Sequence, residues 1–131
     1  MTESEYIKSI RFEFAADEKA AGKLLERVDE GLRLFPESAE LWCLRGHLIQ
    51  LSEREEYYHQ DALESYKKAV GLDPQCLDAY EEIGHFYDLE CEPEKAEPYF
   101  RKAVALGAGK KTRNALLDVI RQIQEKDTPN R

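Results

Sequence analysis

At 131 residues the chain has the length of about one domain, enough to bury a real core. Apolar residues make up 42% and charged ones 35%, with only 7 Gly and 5 Pro, which excludes a disordered tail and suits a helical protein. The formal net charge of −8 argues against nucleic acid as a partner, because phosphate binding relies on a surplus of Lys and Arg.

The N-terminal MTESEYIKSI has neither a basic start nor an apolar stretch with a small-residue cleavage site. No apolar run approaches the ~18 residues of a membrane span, so the expectation is a cytoplasmic protein with no membrane partner. Cys43, Cys76 and Cys91 are odd in number and form no CxxC spacing, which predicts reduced thiols. A first helix is expected near Glu3 to Ala15, with Tyr6, Ile7, Ile10 and Phe14 as its apolar positions. KLLERVDEGLRLFP, from Lys23 to Pro36, continues as a second helix that carries Leu24, Val28 and Gly31 at three- and four-residue steps.

From Leu41 the chain reads LWCLRGHLI, and from Ala79 it reads AYEEIGHFY. Trp42 answers Tyr80, Gly46 answers Gly84 and His47 answers His85, each pair 38 positions apart. ALESYKKAVGLDP from Ala62 is echoed by AEPYFRKAVALGA from Ala96, and there the spacing is 34. The difference places a four-residue insertion around SEREEYYHQD, where Tyr57, Tyr58 and His59 add aromatic bulk. Both pieces have helical periodicity, so each unit is a helical hairpin. Small residues at Gly46, Ala62 and Ala69 admit close backbone approach, and aromatics fill the space beside them. Asp73-Pro74 closes one hairpin, since proline cannot continue a helix. Arg45 is expected to snorkel its stem or to pair with a carboxylate of the insertion. Pro98, five residues past Pro93, predicts a kink or a late start of its helix. Last comes RNALLDVIRQIQEK, with Leu116, Val119, Ile120 and Ile123 on one stripe, which reads as a solvating cap helix.

The order aromatic, Gly, aromatic or apolar residue, then Ala, aromatic, Ala and Pro resembles the tetratricopeptide repeat. Tyr80, Ile83, Gly84, Tyr87, Ala96, Phe100 and Ala103 carry the resemblance in one unit, and Trp42, Gly46, Ala62, Tyr66, Ala69 and Pro74 in the other. It covers about Leu24 to Lys126. It implies an all-α, right-handed superhelical solenoid of about three hairpins and a C-terminal capping helix, forming a single domain over residues 1–131. A degenerate first repeat would occupy 1–38, the second repeat 39–76 with its insertion, the third 77–110, and the cap 111–127.

The resemblance further implies a protein–protein interaction module or scaffold whose first helices line a concave groove. The groove positions would be Glu40, Cys43, His47 and Gln50, then Asp78, Glu81, His85 and Asp88, with Thr112, Ala115, Val119 and Gln122 from the cap helix. From Ala69 to Glu94 there are eight acids and no Lys or Arg, whereas Arg101 to Lys126 holds seven bases against Asp118 and Glu125. Charge complementarity therefore favours a basic peptide or protein surface as partner. It also makes a homodimer plausible, the acidic middle of one copy meeting the basic C-terminal helix of another. The Tyr57-Tyr58 insertion is an alternative contact surface.

No GxSxG elbow, P-loop, HExxH or EF-hand loop occurs, so neither an enzyme nor a cofactor is expected. Cys43 and His47 lie four apart on one helix, and His85 is the counterpart of His47. These three residues keep a metal- or thiol-dependent function as an alternative, although the histidine pair has no fixed third ligand and no metal is assigned. A small chaperone or immunity-type protein that masks one partner is the remaining reading that the resemblance permits.

Overall fold

The computed structural model describes residues 1–52 and 59–127, and every regular element among them is helical. Seven α-helices follow in order: α1 Glu3–Ala16, α2 Ala21–Leu34, α3 Ala39–Leu51, α4 His59–Leu72, α5 Leu77–Leu89, α6 Pro93–Ala105 and α7 Lys110–Asp127. A short 3-10 turn, Glu18–Ala20, joins α1 to α2. The chain divides into two compact units, Met1–Pro74 and Gln75–Arg131, so the break falls after the Asp73-Pro74 pair. The expected insertion at Tyr57 and Tyr58 lies outside the described residues.

In the first unit α1 opens with a capping box. The Thr2 hydroxyl accepts from the Glu5 amide, and the Glu5 carboxylate accepts from the Thr2 amide, which satisfies two donors that a helix start leaves open. Tyr6, Ile7 and Ile10 are the buried residues of α1. Arg27 on α2 donates to Glu13 and, at 2.6 Å, to the Ser9 hydroxyl, and its guanidinium lies over the Tyr6 ring. Ser38 caps α3 by accepting from the Leu41 amide, and the Trp42 indole donates to the Pro36 carbonyl at 3.1 Å. Both contacts fix the chain's entry into the second hairpin.

The glycines mark where helices touch. A Cβ on Gly46 of α3 would stand 2.6 Å from the Tyr66 ring of α4, and one on Gly84 of α5 would stand 2.6 Å from the Phe100 ring of α6. Only hydrogen fits beneath either ring. In the first hairpin the partners are exchanged: Tyr6 on the leading helix α1 presses on Gly31 of the trailing helix α2, where a Cβ would stand 2.9 Å from the ring.

Arg45 reaches two other helices, and the expected pairing with a carboxylate of the insertion lies outside the described residues. Its Nε donates to Asp29 of α2 at 2.9 Å and one terminal nitrogen donates to the Ser65 hydroxyl of α4 at 2.7 Å, while Ser65 donates to the Asp61 carbonyl at 3.0 Å. One guanidinium thus ties three helices, and Asp29 supplies a carboxylate from the preceding hairpin that the local sequence does not point to.

In the second unit α5 and α6 end in the same type of turn. After α5 the Glu92 amide donates to the Tyr87 carbonyl and the Cys91 amide to the Asp88 carbonyl. After α6 the Ala108 amide donates to Ala103 and the Gly107 amide to Val104. These are Schellman closures, which need a residue in the left-handed region. Gly107, at φ 101°, meets that need without a steric penalty, whereas at the other turn Cys91 takes φ 58°.

α6 begins at Pro93 and runs through Pro98 without interruption, so it does not start late. Pro98 and Glu94 are both exposed, and the carbonyl that Pro98 leaves without a donor belongs to the solvent side of the helix. α7 packs on α6 through Thr112 and Val119, both buried. The stripe expected to face inward is shifted round the helix, because Thr112 and Val119, seven apart, take the contact. Leu116, Ile120 and Ile123 are left half-buried and Leu117 exposed.

Candidate functional site

The positions expected to line a ligand surface divide by unit, and in the first unit most of them are already engaged. Glu40 pairs with Arg11 of α1 at 3.5 Å, an exposed contact. Cys43 is only 7% exposed and contributes to the core instead of a surface. The His47 ring sits edge-on against Tyr66, with centroids 5.4 Å apart. Gln50 accepts from the Tyr66 hydroxyl at 2.7 Å. Between α1 and α3 runs a cleft of ≈ 300 Å³ that Ile10, Phe14, Leu44, His47, Leu48 and Leu51 help to line. The face that sequence reading makes acidic is therefore largely apolar here, with the Glu40 carboxylate facing a guanidinium.

The second unit differs. Asp78 is exposed, and Asp88 and Glu82 are half-buried; among the described residues none of the three side chains has an ion pair or hydrogen bond. Glu81 is turned inward and accepts from the Thr112 hydroxyl of α7, which makes it a bracing contact between α5 and α7. The His85 ring lies edge-on to Phe100 at 5.0 Å, repeating the His47 and Tyr66 arrangement. Asp78, Glu82, His85 and Leu89 follow at steps of four, three and four, so they share one helix face, opposite the buried Ile83 and Tyr87. Leu89 is 76% exposed at the end of that face. Glu82 and Leu89 are absent from the sequence-expected set, although the four-residue step from Asp78 to Glu82 points to the first of them. Thr112 and Val119, expected on the same surface, are buried, while Ala115 and Gln122 are half-buried.

The back of this unit carries an aromatic stack. The Tyr87 and Tyr99 rings are 5.8 Å apart and stacked, and Tyr80 lies 6.5 Å from Tyr99. Lys95 sits over Tyr87 and Lys102 over Tyr80, so α6 spends two of its cations on ring faces away from the acidic side of α5.

Cys43, Cys76 and Cys91 take part in no disulfide. Among the described residues no group of three or more His, Cys, Asp or Glu side chains is gathered as a metal ion would require. No described helix is long and apolar enough to cross a membrane.

A repeat-hairpin fold of this kind, with a glycine under an aromatic ring in each hairpin, defines the class of helical-repeat scaffolds. Residues 77–106, which span α5 and α6, match the tetratricopeptide repeat family model. Subunit 3 of the anaphase-promoting complex of Schizosaccharomyces pombe is 37% identical over 75 residues, 57% of this chain and 11% of that protein. Mouse protein O-mannosyl-transferase TMTC1 is 30% identical over 89 residues, 65% of this chain and 9% of that protein. The chain spans about a tenth of the length of these curated relatives. Among solved structures, the Sgt2 tetratricopeptide-repeat domain from Aspergillus fumigatus superposes with a TM-score of 0.75 at 17% identity, covering 98% of this chain and 85% of that one. The Arabidopsis OM64 tetratricopeptide-repeat domain does so with a TM-score of 0.74 at 20% identity, covering 92% and 99%. The family model thus shows one tetratricopeptide repeat at residues 77–106, and the solved structures show that the described residues share the all-α helical-repeat fold.

Proposed function

We propose that the chain is a protein-interaction module that takes a basic segment of a partner on the exposed face of α5. The observation that carries this reading is the charge of α5: Asp78 and Glu82 on that face, and Asp88 to one side of it, meet no cation among the described residues, and no Lys or Arg occurs from Ala69 to Glu94. Three carboxylates held on one helix repel one another, and a basic segment relieves that repulsion while excluding acidic competitors. Leu89 supplies an apolar contact at the end of the face. Glu81 serves by holding α7 against α5, and Glu40, with Arg11 opposite it, is a lesser contributor. The module is taken to comprise all the hairpins, 1–38, 39–76 and 77–110, with 111–127 as its closing helix, and three cysteines outside any disulfide suit a reducing, cytoplasmic setting.

Fluorescence anisotropy with a labelled Lys/Arg-rich peptide tests the reading. The wild-type chain should bind it, and Asp78→Lys with Asp88→Lys should weaken binding by about tenfold or more, equivalent to ~1.4 kcal/mol or above. Equal affinity for both proteins would overturn it.

A further inference from the structure

We propose that the basic segment docking on α5 is the α7 helix of a second copy of this chain. The inference rests on the α5 reading above and names its partner. Lys110, Arg113 and Leu117 follow at steps of three and four on one face of α7, and Leu117 is 64% exposed. Lys110, Lys111 and Arg113 are exposed and have no ion pair among the described residues, in contrast to Arg121, which holds Asp118 and Glu125, and Lys126, which holds Glu94. They also occupy the first turns of α7, where the helix dipole disfavours cations and no acid offsets them. A charge arrangement that opposes local helix stability is the kind a docking partner compensates.

The complement stands in the same chain. The α7 face offers two cations and a leucine, and the α5 face offers Asp78, Glu82 and the exposed Leu89, so acids meet bases and each leucine has an apolar counterpart. Within one copy these faces do not meet. Thr112 and Val119, on the opposite side of α7 from Leu117, are the residues turned toward α5 and α6, and the Thr112 bond to Glu81 fixes that orientation. The contact therefore forms between copies, closing as a reciprocal pair or continuing head to tail.

Sedimentation velocity of the full chain provides the test, run from about 0.01 to about 1 M salt, over which the screening length falls from ~30 to ~3 Å. The wild-type chain should associate at the low end and dissociate toward the high end. Lys110→Glu with Arg113→Glu, and separately Asp78→Lys with Glu82→Lys, should each weaken association at least tenfold while keeping wild-type helicity by circular dichroism. Mixing the two variants should restore association, since the reversed α5 face of one then meets the reversed α7 face of the other. Leu117→Asn, which changes no charge, should weaken association as well. A wild-type chain that stays monomeric at low salt, association that survives reversal of α7, or a mixture that fails to re-associate would each overturn the inference. If the chain is monomeric yet still binds the labelled Lys/Arg peptide through α5, the self-association idea falls and the proposed function stands. If it binds neither, both fall.

Discussion

Replacing Gly84 with alanine puts the packing account to a direct test, because the same change at Gly71 should act in the opposite direction. At Gly84 the new methyl would lie 2.6 Å from two carbons of the Phe100 ring and 3.0 Å from a third, about 0.8 Å inside ordinary contact at 3.4 Å. Phe100 is 0% exposed and has no free space into which to retreat. Overpacking of this kind costs ~1–3 kcal/mol, and a contact this short belongs at the upper end. Alanine recovers ~1 kcal/mol through its helix propensity, leaving a net loss of about 2 kcal/mol. At Gly71, near the end of α4, nothing lies within 4 Å of the added carbon, so only the propensity gain remains, about 0.5–1 kcal/mol. Urea unfolding followed by circular dichroism should place the two variants on opposite sides of the wild type. Phe100→Leu combined with Gly84→Ala should cost less than the sum of the single changes, because the smaller side chain frees the space that the methyl needs. A Gly84→Ala protein as stable as the wild type would refute the claim that the ring lies directly on the backbone.

The two Schellman turns make a second pair. Cys91→Gly should stabilise the protein by about 1 kcal/mol by removing the Cβ from a left-handed residue, and Gly107→Ala should destabilise it by about 1–2 kcal/mol for the converse reason, both read from unfolding midpoints. A third prediction concerns acid. Hydrogen bonds from Lys126 to Glu94, and from Arg121 and then Gln122 to Asp118, hold both carboxyls below the usual carboxylate range. In the unfolded chain these groups titrate in the ordinary carboxylate range, so the stability they lend is complete above the unfolded values and is lost as pH falls through the depressed folded ones. Carboxyl carbon shifts in an acid titration should show the Asp118 midpoint rising in Arg121→Gln. A midpoint that stays low would mean that Arg121 is not its cause.

Much of the architecture is legible in the letters, because each of the two echoing hairpins carries a glycine on its first helix and an aromatic on its second, and those pairs touch: Gly46 with Tyr66, and Gly84 with Phe100. The first helix, with Tyr6, Ile7 and Ile10 inward, is equally plain from its period. What escapes sequence reading depends on contacts between distant residues or on a helix without a marked face. α3 is apolar round most of its circumference, so nothing in LWCLRGHLI separates the buried Cys43 from the half-exposed Trp42 beside it. Two partners of Arg45 among the described residues lie 16 and 20 residues away on two other helices, beyond any periodic rule. On α7, a threonine takes an inward position that a leucine and two isoleucines seemed to claim, because its hydroxyl finds Glu81. The acidic character of α5 is visible as a charge run, but which carboxylates stay unpaired is decided by where Lys95, Lys102 and Lys126 settle on other helices.

The swap of Tyr6 and Gly31 between leading and trailing helices bears on how the chain avoids misassembly. Near-identical hairpins invite a leading helix to fold onto the wrong follower, a slip to which repetitive chains are prone. Were α1 to pair with α4, two bulky rings, Tyr6 and Tyr66, would compete for one gap, and neither would find a bare backbone to rest on. The odd hairpin at the front thus works as a key cut for a single lock, and it sets the counting frame for those behind it.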